Sequence, residues 1–149
     1  MRDGLSNKRI RPLIAPAAAV TDNTAFVSSI IDCQGYDQVT LVVVTGTNAD
    51  ADATVTALLE ESDASNMSGS NAVADDDMVT MTPGTAPEAA ASFTFADDAE
   101  TRAIGYIGSK RYIRLTMTPA NNTGNQFLAG VAVLEGKSPA NATLAASAN

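Results

Sequence analysis

Carboxylates and a few clustered cations are the chain's main chemical equipment, because it has no His and a single Cys, Cys33. Without imidazole there is no side-chain base or proton shuttle titrating near neutrality, and one thiol supports neither an intrachain disulfide nor a multi-thiolate metal site. Glu60-Glu61 and Asp97-Asp98 are adjacent carboxylate pairs. General acid and base must sit in different environments across a cleft, whereas neighbours on a strand point to opposite faces, so neither pair suits hydrolysis. Asn48, Asp50 and Asp52 alternate like the opening ligands of a calcium loop, but Ala53 stands where that loop turns on Gly and Leu59 where a bidentate Glu closes it. Asp75-Asp76-Asp77 reads as solvated charge. Cys33 follows Asp32, whose charge disfavours a thiolate, so a buried, inert thiol is expected. These patterns lead to no expected catalytic residue, cofactor or metal, and to a protein that is not an enzyme.

The cations are more informative. Nine Lys plus Arg stand against 17 Asp plus Glu, for a net charge of -8. That balance disfavours general binding to nucleic acid or an anionic membrane, both of which rest on neutralising phosphate. The charge is also polarised along the chain: the first twelve residues hold Arg2, Lys8, Arg9 and Arg11 against Asp3, and the remainder is acidic. A basic end on an acidic body suits docking onto an acidic surface, including another copy of the chain. A second concentration, Lys110, Arg111 and Arg114 around Tyr112, could clasp an acidic partner or form ion pairs within the fold or between subunits. The candidate partner-binding residues are therefore Arg2, Lys8, Arg9, Arg11, Lys110, Arg111 and Arg114.

What must position them is a β-rich body. The length of 149 residues suits one domain, and the 45% hydrophobic content includes 27 alanines, so the large-residue core is modest. Period-two patterning runs through Phe26–Asp32, Gln38–Thr45, Thr54–Ser62, Met78–Thr82, Ser92–Phe95, Arg102–Ile107, Tyr112–Thr118 and Phe127–Glu135. Gly, Asn and Pro turns separate these runs. Gln38–Thr45 and Phe127–Glu135 are apolar at both parities, which demands burial on two sides. Thr54–Ser62 is expected to pair with the strand before Gly46, and the Asp-, Ser- and Gly-rich stretch from Ser62 to Ala91 to form long surface loops. The sum is an all-β, antiparallel β-sandwich or jelly-roll-like domain over residues 17–137. It is flanked by a basic N-terminal arm, 1–16, and a C-terminal tail, 138–149. Pro12 and Pro16 interrupt the apolar stretch after the first cations, so the N-terminus does not read as a secretory signal, and no membrane span is evident. The tail lacks a periodic apolar face, and both ends are expected to lie along a partner or fold back on the body.

The runs IIDCQGYD (30–37), QVTLVVVTGTN (38–48), IGYIGSKRYIR (104–114) and FLAGVAVLEGKSP (127–139) together resemble small virion proteins of tailed bacteriophages. The resemblance implies a capsid decoration, or cement, protein: a β-rich module that binds the outside of the major capsid shell and stabilises it. It also implies location on the virion exterior after synthesis in the bacterial cytoplasm. The partners would be the major capsid protein and neighbouring copies of the same chain, as a homo-oligomer and, at the local threefold positions of a shell, a trimer. Neck or tail proteins of the virion are one alternative. Another is a carbohydrate- or host-binding β-sandwich, which three Tyr, four Phe and no Trp make a poor match.

Overall fold

The computed structural model describes residues 4, 5 and 7–136. The fold is an antiparallel β-sandwich. The strands are β1 (Lys8–Ile14), β2 (Phe26–Val27), β3 (Ile31–Asp32), β4 (Gln38–Asn48), β5 (Thr54–Ser62), β6 (Asn71–Ala72), β7 (Met78–Thr80), β8 (Phe93–Thr94), β9 (Thr101–Tyr106), β10 (Tyr112–Ala120) and β11 (Gln126–Glu135), with one short helix, α1 (Pro87–Ala91), before β8. The first sheet runs β1-β11-β4-β9-β7. The second runs β2-β10-β5-β6, with β3 also on β10 and β8 also on β5. Alternation puts Val39, Leu41 and Val43 of β4 and Leu128, Ala132 and Leu134 of β11 inside, facing Val55, Ala57 and Leu59 of β5 and Ile113, Leu115 and Met117 of β10.

Three sequence expectations change. β5 does not pair with β4: the Ala49–Ala53 connection carries the chain from one sheet to the other, and β5 lies beside β10 instead. Residues 8–14, read as part of an arm outside the body, belong to it as strand β1, antiparallel to β11, with Leu13 and Ile14 buried, so this part of the N-terminal end takes the fold-back course of the two expected. Pro12 disguised this strand, yet it is tolerated because β1 is an edge strand and the register shifts between Pro12 and Ile14. Finally, β4 and β11 are covered on one face only. Val44 and Val131, on the other parity, are exposed.

The stretch read as loops holds α1, which seals an open edge. β5 pairs with β8 at Thr54 and Val55 and with β6 at Glu60 and Glu61, leaving its middle without a neighbouring strand. There Leu59 N–H donates to Glu88 Oε1 (2.6 Å) and Ala57 N–H to Ser92 Oγ (3.0 Å). Ser92 Oγ–H in turn donates to the Glu88 carbonyl (2.8 Å). The helix end thus substitutes side-chain acceptors for a missing strand. Glu88→Ala leaves the Leu59 N–H unpaired at a buried position, so a loss of about 1–3 kcal/mol is expected in urea unfolding, with Glu88→Gln retaining much of the difference through its amide oxygen. Equal stability of Glu88→Ala and the native chain would contradict this role.

Candidate functional site

The Lys110–Arg114 cluster lies at the β9–β10 turn. Tyr106, at the end of β9, is buried; its Oη–H donates to Glu61 Oε2 (2.6 Å) and its Oη accepts from Lys110 N–H (2.9 Å). Burial first, and then the Glu61 hydrogen bond, raises this phenol above the ordinary tyrosine range. The Tyr106 ring lies where a Cβ on Gly108 would be, at 2.6 Å, so the turn needs glycine there.

Each cation of the cluster meets a carboxylate of the same chain. Lys110 Nζ pairs with Asp63 (2.6 Å), and Arg111 forks onto both oxygens of Asp32 (3.0 and 2.8 Å) while its guanidinium sits 4.9 Å from the Tyr112 ring centre. Arg114 Nη2 binds Glu60 Oε2 (2.7 Å), directly across the β10–β5 register, and Ser70 Oγ–H donates to the other Glu60 oxygen (3.0 Å). Of the two roles open to the cluster, the structure displays ion pairing within the fold. No sequence signal named these partners, because they come from β3, β5 and the loop after β5.

The N-terminal cations separate in the same way. Lys8 pairs with Glu135 across β1 and β11. Arg9 and Arg11 form no ion pair among the described residues, and Arg2 lies outside them, as does the 138–149 tail. Arg9 and Arg11 occupy alternate positions of β1, opposite Leu134 and Ala132, and so share one side of the strand. They flank a surface groove of about 390 Å³ between β1 and Ser29–Ile31. Two backbone bonds set its width: Ser29 N–H donates to the Leu13 carbonyl (2.8 Å) and Ser28 N–H to the Leu115 carbonyl (2.9 Å), so this segment ties one sheet to the other. Arg9 is exposed, and the Arg11 Nε is buried without a protein acceptor. Arg11 also helps its neighbour Arg111 hold the Asp32 carboxyl low. Chemically, this is a basic groove beside a sheet edge, fitted to an extended acidic segment.

The remaining candidates are structural. Asp50 Oδ2 accepts from Thr123 N–H and Oγ1–H (both 2.6 Å), tying the β4–β5 connection to the β10–β11 loop; these bonds lower the Asp50 carboxyl, and a hydrogen bond with Asp50, followed by the Asp50 charge, raises that of Asp52. No group of three or more Cys, Asp or Glu converges among the described residues. Asn48 and Gln126 face each other in register, buried, with no protein partner for either carboxamide. Cys33 is half-buried, and burial, followed by the Asp32 charge, pushes its thiol up to about 12.

No family model and no curated protein sequence matches the chain. Among solved structures, it is similar to the CBM22-1–GH10 modules of Clostridium thermocellum xylanase 10B (12% identity, TM-score 0.44, 87% of this chain and 26% of that one). It is also similar to CBM35 from Cellvibrio japonicus Abf62 (13%, 0.44, 87% and 95%). A third likeness is to the enzymatically active domain of bacteriophage CBA120 tailspike protein 4 (13%, 0.42, 87% and 19%). The chain thus spans about a quarter of the xylanase modules and a fifth of the tailspike domain. At these identities and scores none of the three bears on function.

Two outcomes follow from the electrostatics. Asp32 is held low by the Arg111 hydrogen bond, Glu60 by the Arg114 bond and then Ser70, and Asp97 first by the Thr94 N–H. Carboxyls depressed in the folded state contribute stability that is complete above their unfolded pKa of about 4 and is lost as pH falls through the lower folded values. The urea midpoint is therefore expected to hold between about pH 7 and 5 and to fall below about pH 4, less steeply in Asp32→Asn; a flat profile down to about pH 2.5 would contradict it. Cys33 is expected to resist a thiol-reactive disulfide reagent at about pH 8 until urea unfolds the chain, and immediate labelling of the native protein would count against a protected thiol.

Proposed function

We propose that this chain is a capsid decoration protein of a tailed bacteriophage, acting by binding and not by catalysis. It sits on the outer surface of the major capsid shell and reinforces it. The observation that carries this reading is the groove at β1, where Arg9 and Arg11 form no ion pair among the described residues of an otherwise acidic body. The likeness of residues 30–48, 104–114 and 127–139 to small virion proteins points to the same role.

A cement function needs no active site. It needs a modest interface repeated many times, so that many weak contacts resist expansion of the shell together. The groove supplies such a contact to an acidic, extended segment of the shell protein, through main-chain pairing at the β1 edge and charge-assisted bonds from the two arginines. Gly136 N–H donates to the Asn7 carbonyl (3.4 Å), so Asn7 and Gly136 lie together beside this edge.

Mixing the full-length protein with purified empty shells is the test. Binding is expected to saturate at a copy number set by the shell's repeated local symmetry sites and to weaken with salt. Arg9→Glu, an exposed change that leaves the fold intact, is expected to weaken it at least about tenfold. A few copies per particle would favour a neck or tail position instead, and no binding to shells would refute the assignment.

A further inference from the structure

The outer face of the β1-β11-β4-β9-β7 sheet is apolar and is not covered by any other of the described residues. Ile10, Val44, Val79, Phe127 and Val131 all lie on it, between 41 and 55% exposed. Val42, half-buried, sits at its centre, flanked in register by Val131 and Ala103. The face is also smooth. Phe127 lies across Gly46 and Val79 across Gly105, in each case where a larger residue would place its Cβ. Near Pro16 and Ala17 it dips into a recess of about 190 Å³ between Val44 and Phe127.

Its charge content separates it from the rest of the molecule. The charged residues at outward positions of this sheet are Lys8 and Glu135, which pair with each other at one end. The outer face of the other sheet carries Thr54, Thr56, Glu60, Arg114, Thr116 and Thr118, with Leu58 and Val27 as its apolar members. So β4 and β11 are apolar at both parities where the opposite sheet alternates with polar residues, although the folded chain covers only one side of them.

We infer that this face is the interface between two copies of the chain, packed sheet on sheet about a twofold axis. This inference is independent of the decoration reading. A body of net charge -8 repels its own copies, and they can meet closely only where neither presents net charge. An apolar surface whose only outward charges among the described residues, Lys8 and Glu135, neutralise each other is self-complementary, as an isologous contact requires. A partner of different sequence would be selected by complementary charge, and the cations without ion pairs among the described residues, Arg9 and Arg11, lie at the β1 edge. Size agrees: five strands at ~4.8 Å spacing and about seven residues at ~3.3 Å rise make a face of roughly 500 Å², and two such faces together reach the ~1,000 Å² of a specific interface. Two twisted sheets bring such faces together by aligned packing at ~10 Å separation.

Sedimentation velocity of the full-length chain from about 1 to 200 µM tests this. The native protein is expected to dimerise with a micromolar dissociation constant. Val131→Lys and Val44→Lys, each at an exposed position, are expected to weaken dimerisation at least about tenfold by burying unpaired charge, with circular dichroism and melting unchanged. Thr56→Lys, on the outer face of the other sheet, is expected to leave it intact. A native chain that stays monomeric throughout, or a dimer indifferent to Val131→Lys and Val44→Lys, overturns the inference. Dimerisation that appears only after removal of residues 137–149 overturns it too, since the tail would then be the cover. So does a monomer whose shell binding is lost in Val131→Lys, since the face would then belong to the shell; failure of the decoration reading alone would leave the dimer and its sensitivity to these changes untouched.

Discussion

Two sheets lined with Leu, Ile, Val and Met keep water out only while the backbone groups along their open edges find partners, and in this chain short polar segments provide those partners. β10 is bordered by the fragments β2 and β3, and between them Ser28 both donates its N–H to Leu115 and accepts the Leu115 N–H on Oγ (2.9 and 3.0 Å). β5 is bordered by β6 and β8, with Glu88 and Ser92 filling the gap. At the far end Asn122 donates its amide to the Val20 and Asp22 carbonyls and accepts nothing from the protein on Oδ1. A sandwich with so few long strands would otherwise leave main-chain donors stranded at the rim of its core, each at a cost comparable to a lost hydrogen bond.

Ion pairs within the fold take up five of the seven described cations. Asp32, Glu60 and Asp63 neutralise Arg111, Arg114 and Lys110 around the β9–β10 turn, and Arg102 is shared between Asp97 and Glu100. Exposed pairs of this sort contribute little stability individually, so their larger effect is to remove those cations from competition for a partner. Arg9 and Arg11, beside Ser29–Ile31 on edge strand β1, form no ion pair among the described residues. The described residues thus present a groove beside β1 lined by Arg9 and Arg11 and, on the outside of the same sheet, an apolar face.

Strand existence and inward-facing residues are legible in the order of the amino acids, because period-two alternation in segments such as Tyr112–Thr118 directly encodes a half-buried sheet. The all-β class and the protected character of Cys33 rest on the same kind of local pattern. The candidate site is legible only in part. Its residues are identifiable as cations, but their partners Asp32, Glu60 and Asp63 are from about 50 to 80 positions away in the chain, and nothing local distinguishes Arg9 from Arg114.

The sequence by itself determined the all-β class, the inward-facing residues of strands such as β10 and where the charge is concentrated, since these depend on side-chain type and a two-residue repeat. Tertiary structure alone decided that β5 joins β10 and not β4, that residues 8–14 close the first sheet, and that a five-residue helix can stand in for a strand. Those outcomes turn on long-range register and on which backbone groups remain unpaired after the main ladders form. Such unpaired groups exist only once distant segments have been brought together.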